Sequence, residues 1–192
     1  MKKKIFIDGE EGTTGLQIFK KLSNHPNVEL LKIDRNKRKS YAERKRLMEL
    51  SDATFLCLPD KASIEALELW KEISSNCPVL IDASSAHRTL NSWVYGLPEL
   101  SETQRYLISR AQKISVPGCY ATGANLLIKP LIKNSIIPKD YAFIINAVSG
   151  YSGGGKKLIN YFESSNHESF FYYGLDLDHK HIKEIKFHNQ LD

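Results

Sequence analysis

Short apolar runs alternate with helix-period segments through the first half of the chain. Runs rich in β-branched and aromatic residues predict strands over 4–8, 29–34, 53–58 and 79–82. Between them, apolar residues that recur every three or four positions predict helices over 14–22, 41–50 and 62–73. The third and fourth strands are almost wholly apolar, which is typical of strands covered on both faces. The alternation predicts an α/β fold with a doubly wound parallel sheet of the Rossmann type.

A different pattern begins near Pro117-Gly118. Before this point we expect a turn at 96–100, a helix over 102–111 and a strand over 114–116. After it we expect helices over 121–133 and 157–164 and strands over 141–148 and 170–173. We therefore place a boundary here and expect two domains, residues 1–117 and residues 118–192. The second is expected to be an incomplete α+β domain.

The composition is that of an ordinary globular protein. The 192 residues are 42% hydrophobic and 26% charged, with a net charge of +5. Basic residues are scattered through both halves, and aromatic residues do not interleave with the basic cluster at 35–39, so we expect no nucleic-acid partner. The first apolar run is too short for a signal sequence, and no run reaches the roughly 20 apolar residues of a membrane span. We expect a soluble, cytoplasmic protein without a membrane partner.

Three glycines follow the first predicted strand and open the first predicted helix. Gly9, Gly12 and Gly15, with Thr13 and Thr14 between them, allow a tight turn whose free N–H groups face a pyrophosphate. The spacing differs from the common dinucleotide fingerprint, and a glycine-rich turn without a ligand is the alternative.

A basic cluster follows the second predicted strand. That strand ends at Asp34, where many such folds place an acid on the ribose, and Arg35, Lys37, Arg38 and Lys39 come next. The cluster favours a 2′-phosphate and hence NADP; a solvated basic turn is the alternative. Pro59 closes the third strand at the sheet edge where open α/β folds bind ligands.

The three cysteines, Cys57, Cys77 and Cys119, are widely spaced. An odd count without CxxC or Cys/His spacing argues against a disulfide framework and a zinc site, and fits a reducing compartment. Cys57 lies inside an apolar strand and Cys77 precedes a proline, so we expect both to be inert. Cys119 joins a strand to a helix, where the helix dipole stabilises a thiolate; an ordinary packed residue is the alternative.

Two further segments carry candidate chemistry. Residues 82–88 cluster hydroxyls, an imidazole and a guanidinium after a buried strand, and Arg88 suits a phosphate or carboxylate, with a surface ion pair as the alternative. His179-Lys180-His181 offers a candidate base. We expect no metal, because no third ligand stands at a sensible spacing.

Taken together, these residues resemble N-acetyl-gamma-glutamyl-phosphate reductase, in its shorter subtype. The resemblance covers essentially the whole chain, with matching stretches at 6–18, 56–60, 81–89, 93–100, 117–123, 146–156 and 173–181. It implies a dinucleotide-binding domain, residues 1–117, and the N-terminal part of a catalytic and dimerisation domain, residues 118–192, as in aspartate-semialdehyde dehydrogenase.

The resemblance implies the following chemistry. Cys119 attacks the acyl phosphate, and the thioester accepts hydride from NADPH to give N-acetylglutamate semialdehyde, a step of arginine biosynthesis. His179 matches the family's acid/base position better than His181. The cofactor-binding residues implied are Gly9, Gly12, Thr13, Thr14, Gly15, Arg35, Arg38, Pro59 and Ser84. The substrate-binding residues implied are Arg88, Ser149 and Gly150, and the family suggests a homo-oligomer.

Two departures from the family leave alternatives open. Ile182-Lys183-Glu184 stands where the family usually has His-x-Pro-Glu, and family members continue well beyond residue 192. We expect this chain to be an N-terminal portion with an open sheet edge, prone to weak folding or aggregation. The alternatives are a catalytically silent fragment that binds dinucleotide or a partner chain, and a reductase of an aspartyl or aminoadipyl phosphate.

Overall fold

The computed structural model describes residues 1–74, 77–164 and 167–192. These residues form two compact units. The sheet unit consists of Met1–Pro98 and Thr103–Val116, and the helical unit consists of Glu99–Glu102 and Pro117–Asp192.

The sheet unit contains a six-stranded, wholly parallel sheet. Its strands are β1 (Lys3–Asp8), β2 (Val28–Leu31), β3 (Ala53–Leu56), β4 (Val79–Asp82), β5 (Val94–Tyr95) and β6 (Lys113–Ser115), in the order β2-β1-β3-β4-β6-β5. Its helices are α1 (Thr13–Ser23), α2 (Tyr41–Leu50), α3 (Asp60–Lys71) and α4 (Gln104–Arg110). The chain leaves β1 to one side and returns to β3 on the other, so the carboxyl ends of β1 and β3 form a topological switch point. The predicted Rossmann-type α/β fold is confirmed.

Apolar side chains from the central strands and the covering helices form the core of this unit. Phe6, Leu56 and Leu80, one from each of β1, β3 and β4, are completely buried and pack with Met48 of α2 and Leu69 of α3. Removing such side chains from water is the main stabilising contribution to a domain of this size.

Local signals set most element boundaries. Helix α2 matches the predicted range because Ser40 caps it, its Oγ accepting the Glu43 N–H at 3.4 Å. Strand β2 is shorter than predicted: it ends at Leu31, and Asp34 caps a 3-10 helix, Arg35–Lys37. Strand β5 was not predicted, because two residues are too short to show a period.

The helical unit contains α5 (Cys119–Lys133), α6 (Gly155–Phe162) and α7 (Lys180–Asn189). Ala121, Ala124 and Ile128 on one face of α5 pack against Ile185 of α7. Helix α7 was not predicted, because its sequence is mostly polar and basic and its apolar face is short.

Two predicted strands of the second half are wrong. Residues 141–148 and 170–173 form no strand, and large side chains such as Ile144 (88% exposed) and Val148 (91% exposed) face solvent. Their β-branched and aromatic composition favours strands only where a neighbouring strand accepts the backbone hydrogen bonds. Within the described ranges, every pair of hydrogen-bonded strands belongs to the sheet unit.

Candidate functional site

The predicted glycine turn lies at the switch point of the sheet. Gly9 follows β1 with φ of +89°, and a Cβ placed on it would stand 2.4 Å from the carbonyl oxygen of Cys57, which follows β3. A Cβ on Gly15 would stand 2.4 Å from the carbonyl oxygen of Gly9. Both positions therefore require glycine, because any side chain would push the turn off the end of β3.

The first turn of α1 presents free backbone donors at this turn. Gly12 caps the helix, and its own N–H donates to the Gly9 carbonyl at 3.1 Å. No side chain of the described residues caps α1, and its first turn carries no acid. The N–H groups of Thr13, Thr14 and Gly15 thus lack intrahelical acceptors, as in turns that hold a phosphate. The residues present fit the pyrophosphate of a dinucleotide.

A buried ion pair fixes the end of β1. Arg44 of α2 reaches Asp8 through Nε at 2.9 Å and Nη2 at 2.8 Å, and both side chains are buried. Burial raises the pKa of the Asp8 carboxyl, although the Arg44 guanidinium opposes the rise. The sequence pattern did not reveal this pair, because 36 residues separate the partners.

The basic cluster after β2 lies against the glycine turn. Arg35 Nε contacts Glu11 at 3.2 Å, and Arg38 Nη1 pairs with the other oxygen of the same carboxylate. Arg38, and more weakly Arg35, hold the pKa of Glu11 below its usual range. Asp34, which was considered for the ribose, accepts the Asn36 N–H at 2.8 Å instead. The two predicted arginines are therefore together, and both engage Glu11.

A buried hydrogen-bond network follows β4. Asp82 Oδ1 accepts from Ser84 N–H at 2.9 Å and from Ser63 Oγ at 3.1 Å. Asp82 Oδ2 accepts from Ser84 Oγ at 2.6 Å and lies 2.6 Å from His87 Nδ1. Burial alone would raise the pKa of Asp82, but hydrogen bonds from His87 and Ser84 hold it below its usual value. The His87 ring stacks on Trp93, with centroids 4.2 Å apart.

The other predicted residues of the sheet unit flank this network. The hydroxyl of Ser84, predicted to contact the cofactor, is directed at Asp82. Pro59 stands immediately before α3, next to Asp60, whose carboxylate accepts from Ser85 N–H and Oγ at 2.8 and 2.6 Å. Arg88 is buried and donates from Nη2 to the Ala83 carbonyl at 3.0 Å.

Cys119 is the first residue of α5, and it is exposed. The other two cysteines are half-buried. Burial, with the charges of Asp8 and Asp82, raises the pKa of the Cys57 thiol to about 12, and Cys77 Sγ donates to the Ile73 carbonyl at 3.1 Å. The Cys119 thiol is thus accessible at the N-terminus of a 15-residue helix, where the first backbone N–H groups lack intrahelical acceptors.

Aromatic and imidazole rings gather around Tyr120, the residue that follows Cys119. The Tyr120 ring lies 5.8 Å from the rings of His179 and His181, and its hydroxyl hydrogen-bonds the hydroxyl of Tyr173. Burial and this bond raise the pKa of Tyr173 to about 12, opposed by a hydrogen bond from Ser149. Tyr173 thus contacts two predicted site residues that are far apart in the sequence, Ser149 and His179, as well as Tyr120 in the first turn of α5.

The two histidines differ in burial. His179 is half-buried and caps α7, its Nδ1 accepting the His181 N–H at 3.2 Å. An accepting Nδ1 places the proton of a neutral imidazole on Nε2. His181 is buried. Gly150 is exposed at the start of a 3-10 helix, Tyr151–Gly154, and its carbonyl accepts the Ser149 hydroxyl at 3.0 Å.

Glu184 was missed by the sequence analysis. It is buried on α7, and its Oε1 accepts the N–H of Gly118, the residue that caps α5, at 2.8 Å. The partners are 66 residues apart, and the only signal at this position was a departure from the family motif. Glu184 therefore anchors the backbone next to Cys119.

Two family models and many named proteins match this chain. A model of the semialdehyde dehydrogenase NAD-binding domain matches residues 4–106, and one of the semialdehyde dehydrogenase dimerisation domain matches residues 119–191. The chain is 46% identical to N-acetyl-gamma-glutamyl-phosphate reductase 2 of Nostoc sp., with 99% of the chain and 61% of that protein covered. It is 45% identical to N-acetyl-gamma-glutamyl-phosphate reductase of Brucella ovis, with 100% of the chain and 63% of that protein covered.

Solved structures share the fold at low identity. Aspartate semialdehyde dehydrogenase II of Vibrio cholerae, complexed with ASA, aligns with a TM-score of 0.62 at 13% identity, over 100% of this chain and 67% of that one. Aspartate semialdehyde dehydrogenase from Francisella tularensis aligns with a TM-score of 0.51 at 16% identity, over 69% of this chain and 41% of that one.

The chain spans 61–63% of the length of the curated relatives it matches. In the described ranges, no helix has the length and apolar character to cross a bilayer. Because the NAD-binding domain model covers more than half of its residues, the chain belongs to the semialdehyde dehydrogenase family.

Proposed function

We propose that this chain carries the dinucleotide turn and the nucleophile for NADPH-dependent reduction of N-acetyl-gamma-glutamyl phosphate to N-acetylglutamate semialdehyde, in arginine biosynthesis. The observation that carries the proposal is the exposed Cys119 at the start of α5, followed by Tyr120, whose ring lies 5.8 Å from that of His179. The names of the relatives supply the substrate.

Acyl transfer to Cys119 is the first step. The Cys119 thiolate attacks the acyl carbon, the carbon–sulfur bond forms, and the bond to the phosphate oxygen breaks, so that inorganic phosphate leaves with the electron pair. The free N–H groups at the start of α5 stabilise the anionic sulfur before attack. Glu184 holds the Gly118 backbone, so the thiol stays at the helix terminus.

Reduction of the thioester needs a two-electron donor. A dinucleotide held by the glycine turn would supply the hydride for the acyl carbon. The Nε2–H of His179 would donate a hydrogen bond to the carbonyl oxygen as it becomes an oxyanion, and the carbonyl would re-form as the carbon–sulfur bond breaks and the sulfur leaves as a thiolate. The Nδ1 hydrogen bond to the backbone orients the His179 ring for this role.

The remaining residues hold the ligands. Gly9, Gly12 and Gly15, with the N–H groups of Thr13 and Thr14, would hold the pyrophosphate. Arg35 and Arg38 would hold the 2′-phosphate that distinguishes NADP from NAD. Pro59 and Ser84 follow β3 and β4 at the ligand-binding edge of the sheet. Arg88, Ser149 and Gly150 would contact the acyl phosphate.

Assembly and location are part of the same proposal. The match to a dimerisation domain supports a homo-oligomer, and the biosynthetic relatives support a cytoplasmic enzyme.

The test is phosphate-dependent oxidation of N-acetylglutamate semialdehyde, with NADP and NAD compared. Cys119→Ser should abolish turnover and leave dinucleotide binding intact, whereas the matched control Cys77→Ser should keep both. Turnover retained by Cys119→Ser would refute the nucleophile. Absence of turnover in the unmodified chain, with dinucleotide still bound, would favour the silent fragment. Faster turnover of aspartate or aminoadipate semialdehyde derivatives would reassign the acyl phosphate.

A further inference from the structure

Glu11 occupies an unexpected place in the glycine turn. It lies between Gly9 and Gly12, in the loop that would face a dinucleotide pyrophosphate, and a bare carboxylate there would repel that ligand. Its two oxygens are instead taken by Arg35 Nε and Arg38 Nη1. The arginines neutralise the carboxylate, and the hydrogen bond from Arg38, with the charges of both arginines, lowers the pKa of Glu11.

The guanidinium N–H groups that bind Glu11 are the ones that would bind a phosphate monoester. Guanidinium groups bind carboxylates and phosphates through the same planar N–H groups. Arg38 also donates from Nε to the Arg35 carbonyl at 3.0 Å, which keeps the two arginines together. A 2′-phosphate approaching this pair must therefore displace the Glu11 carboxylate or share the arginines with it.

We propose that Glu11 is a specificity-determining residue, an internal carboxylate that competes with the dinucleotide 2′-phosphate for Arg35 and Arg38. The inference rests on the proposed dinucleotide binding and adds the residue that sets the preference between the two dinucleotides. The apparent affinity for NADP is the intrinsic affinity multiplied by the fraction of arginine pairs that Glu11 leaves free. Glu11 leaves the affinity for NAD almost unaffected, since NAD has no group for these arginines.

A neighbouring residue supplies the matched control. Glu10 carries the same charge in the same turn, and its carboxylate makes no ion pair or hydrogen bond with the described residues. Glu10→Gln thus removes one negative charge near the pyrophosphate without freeing an arginine. Comparing it with Glu11→Gln separates competition for the arginines from general repulsion.

The experiment is calorimetric titration of the 192-residue chain and both variants with NADP and with NAD, at low ionic strength. Glu11→Gln should bind NADP about three- to tenfold more tightly than the unmodified chain, the range expected for release of exposed ion pairs. Its affinity for NAD should match that of Glu10→Gln. Adding Arg38→Gln to Glu11→Gln should remove most of the gain, because the freed donor is then absent.

The outcomes separate the inference from the proposed function. One outcome is that NAD binds normally while Glu11→Gln leaves the ratio of NADP to NAD affinity unchanged or lowers it. In that case Glu11 orients the arginines or has no part in selection, and the inference is refuted while the proposed dinucleotide site stands. If neither dinucleotide binds the unmodified chain or any variant, both the inference and the proposed dinucleotide site are overturned.

Discussion

Replacing Glu184 should loosen the backbone that carries Cys119. The Gly118 N–H is buried, and Glu184 Oε1 accepts it at 2.8 Å. Glu184→Ala removes the acceptor and leaves that N–H unsatisfied, which costs about 1–3 kcal/mol. Glu184→Gln keeps an oxygen acceptor of the same length for the Gly118 N–H, so the loss at this contact should be about 1 kcal/mol or less.

Two measurements distinguish the effects of the two Glu184 substitutions. Urea denaturation followed by far-ultraviolet circular dichroism gives the free energy of unfolding, and hydrogen exchange gives the protection of the Gly118 amide. Glu184→Ala should lower both, and Glu184→Gln should largely preserve both. Glu163→Ala removes an exposed glutamate at the end of α6 and serves as the control, with neither quantity changed. Equal losses in the alanine and glutamine variants, or unchanged Gly118 exchange in Glu184→Ala, would refute the reasoning.

Three further predictions concern the thiols, the glycines and the stability of the fold at acidic pH. Iodoacetamide near neutral pH should modify exposed Cys119 long before Cys57, whose pKa of about 12 keeps it protonated. Peptide mass spectrometry gives the order of modification, and earlier modification of Cys57 would contradict the prediction. Gly9→Ala should destabilise the sheet unit by about 2 kcal/mol or more in urea titrations, because its Cβ meets the Cys57 carbonyl at a φ of +89°. Gly123→Ala, where a Cβ has open space on α5, should be neutral or stabilising by about 0.5–1 kcal/mol. Because the pKa of Asp82 is lowered by folding, its carboxylate stabilises the fold fully above about pH 4 and progressively less as pH falls through the folded pKa. The stability difference between the unmodified chain and Asp82→Asn should therefore stay constant from about pH 7 to about pH 5 and shrink below about pH 4; a difference that is unchanged below about pH 4 would contradict this assignment.

Features set by local chemistry were predictable from the sequence. The bounds of α2 and β4 match the prediction, because a serine cap and a short apolar run are local signals. The glycine turn also lies where a strand passes into a helix, as its spacing predicts. Cys119 begins α5 two residues earlier than the predicted helix start.

Features set by distant partners were not predictable. The residues 141–148 look like a strand, but strand formation depends on a neighbour that composition does not reveal. The Glu184–Gly118 contact joins residues 66 apart, and the arginines that suggested a phosphate site are engaged by Glu11, 24 and 27 residues upstream. Such pairs depend on tertiary placement, so local patterns identify the residues without identifying their partners.

Trapping the acyl enzyme tests the nucleophile most directly. The chain would be mixed with N-acetyl-gamma-glutamyl phosphate without dinucleotide, quenched in acid, digested and examined by mass spectrometry. The proposed mechanism predicts one N-acetylglutamyl group on the Cys119 peptide, released by hydroxylamine as expected for a thioester, together with one phosphate per acyl group. Acylation at another residue, or equal phosphate release by Cys119→Ser, would contradict it.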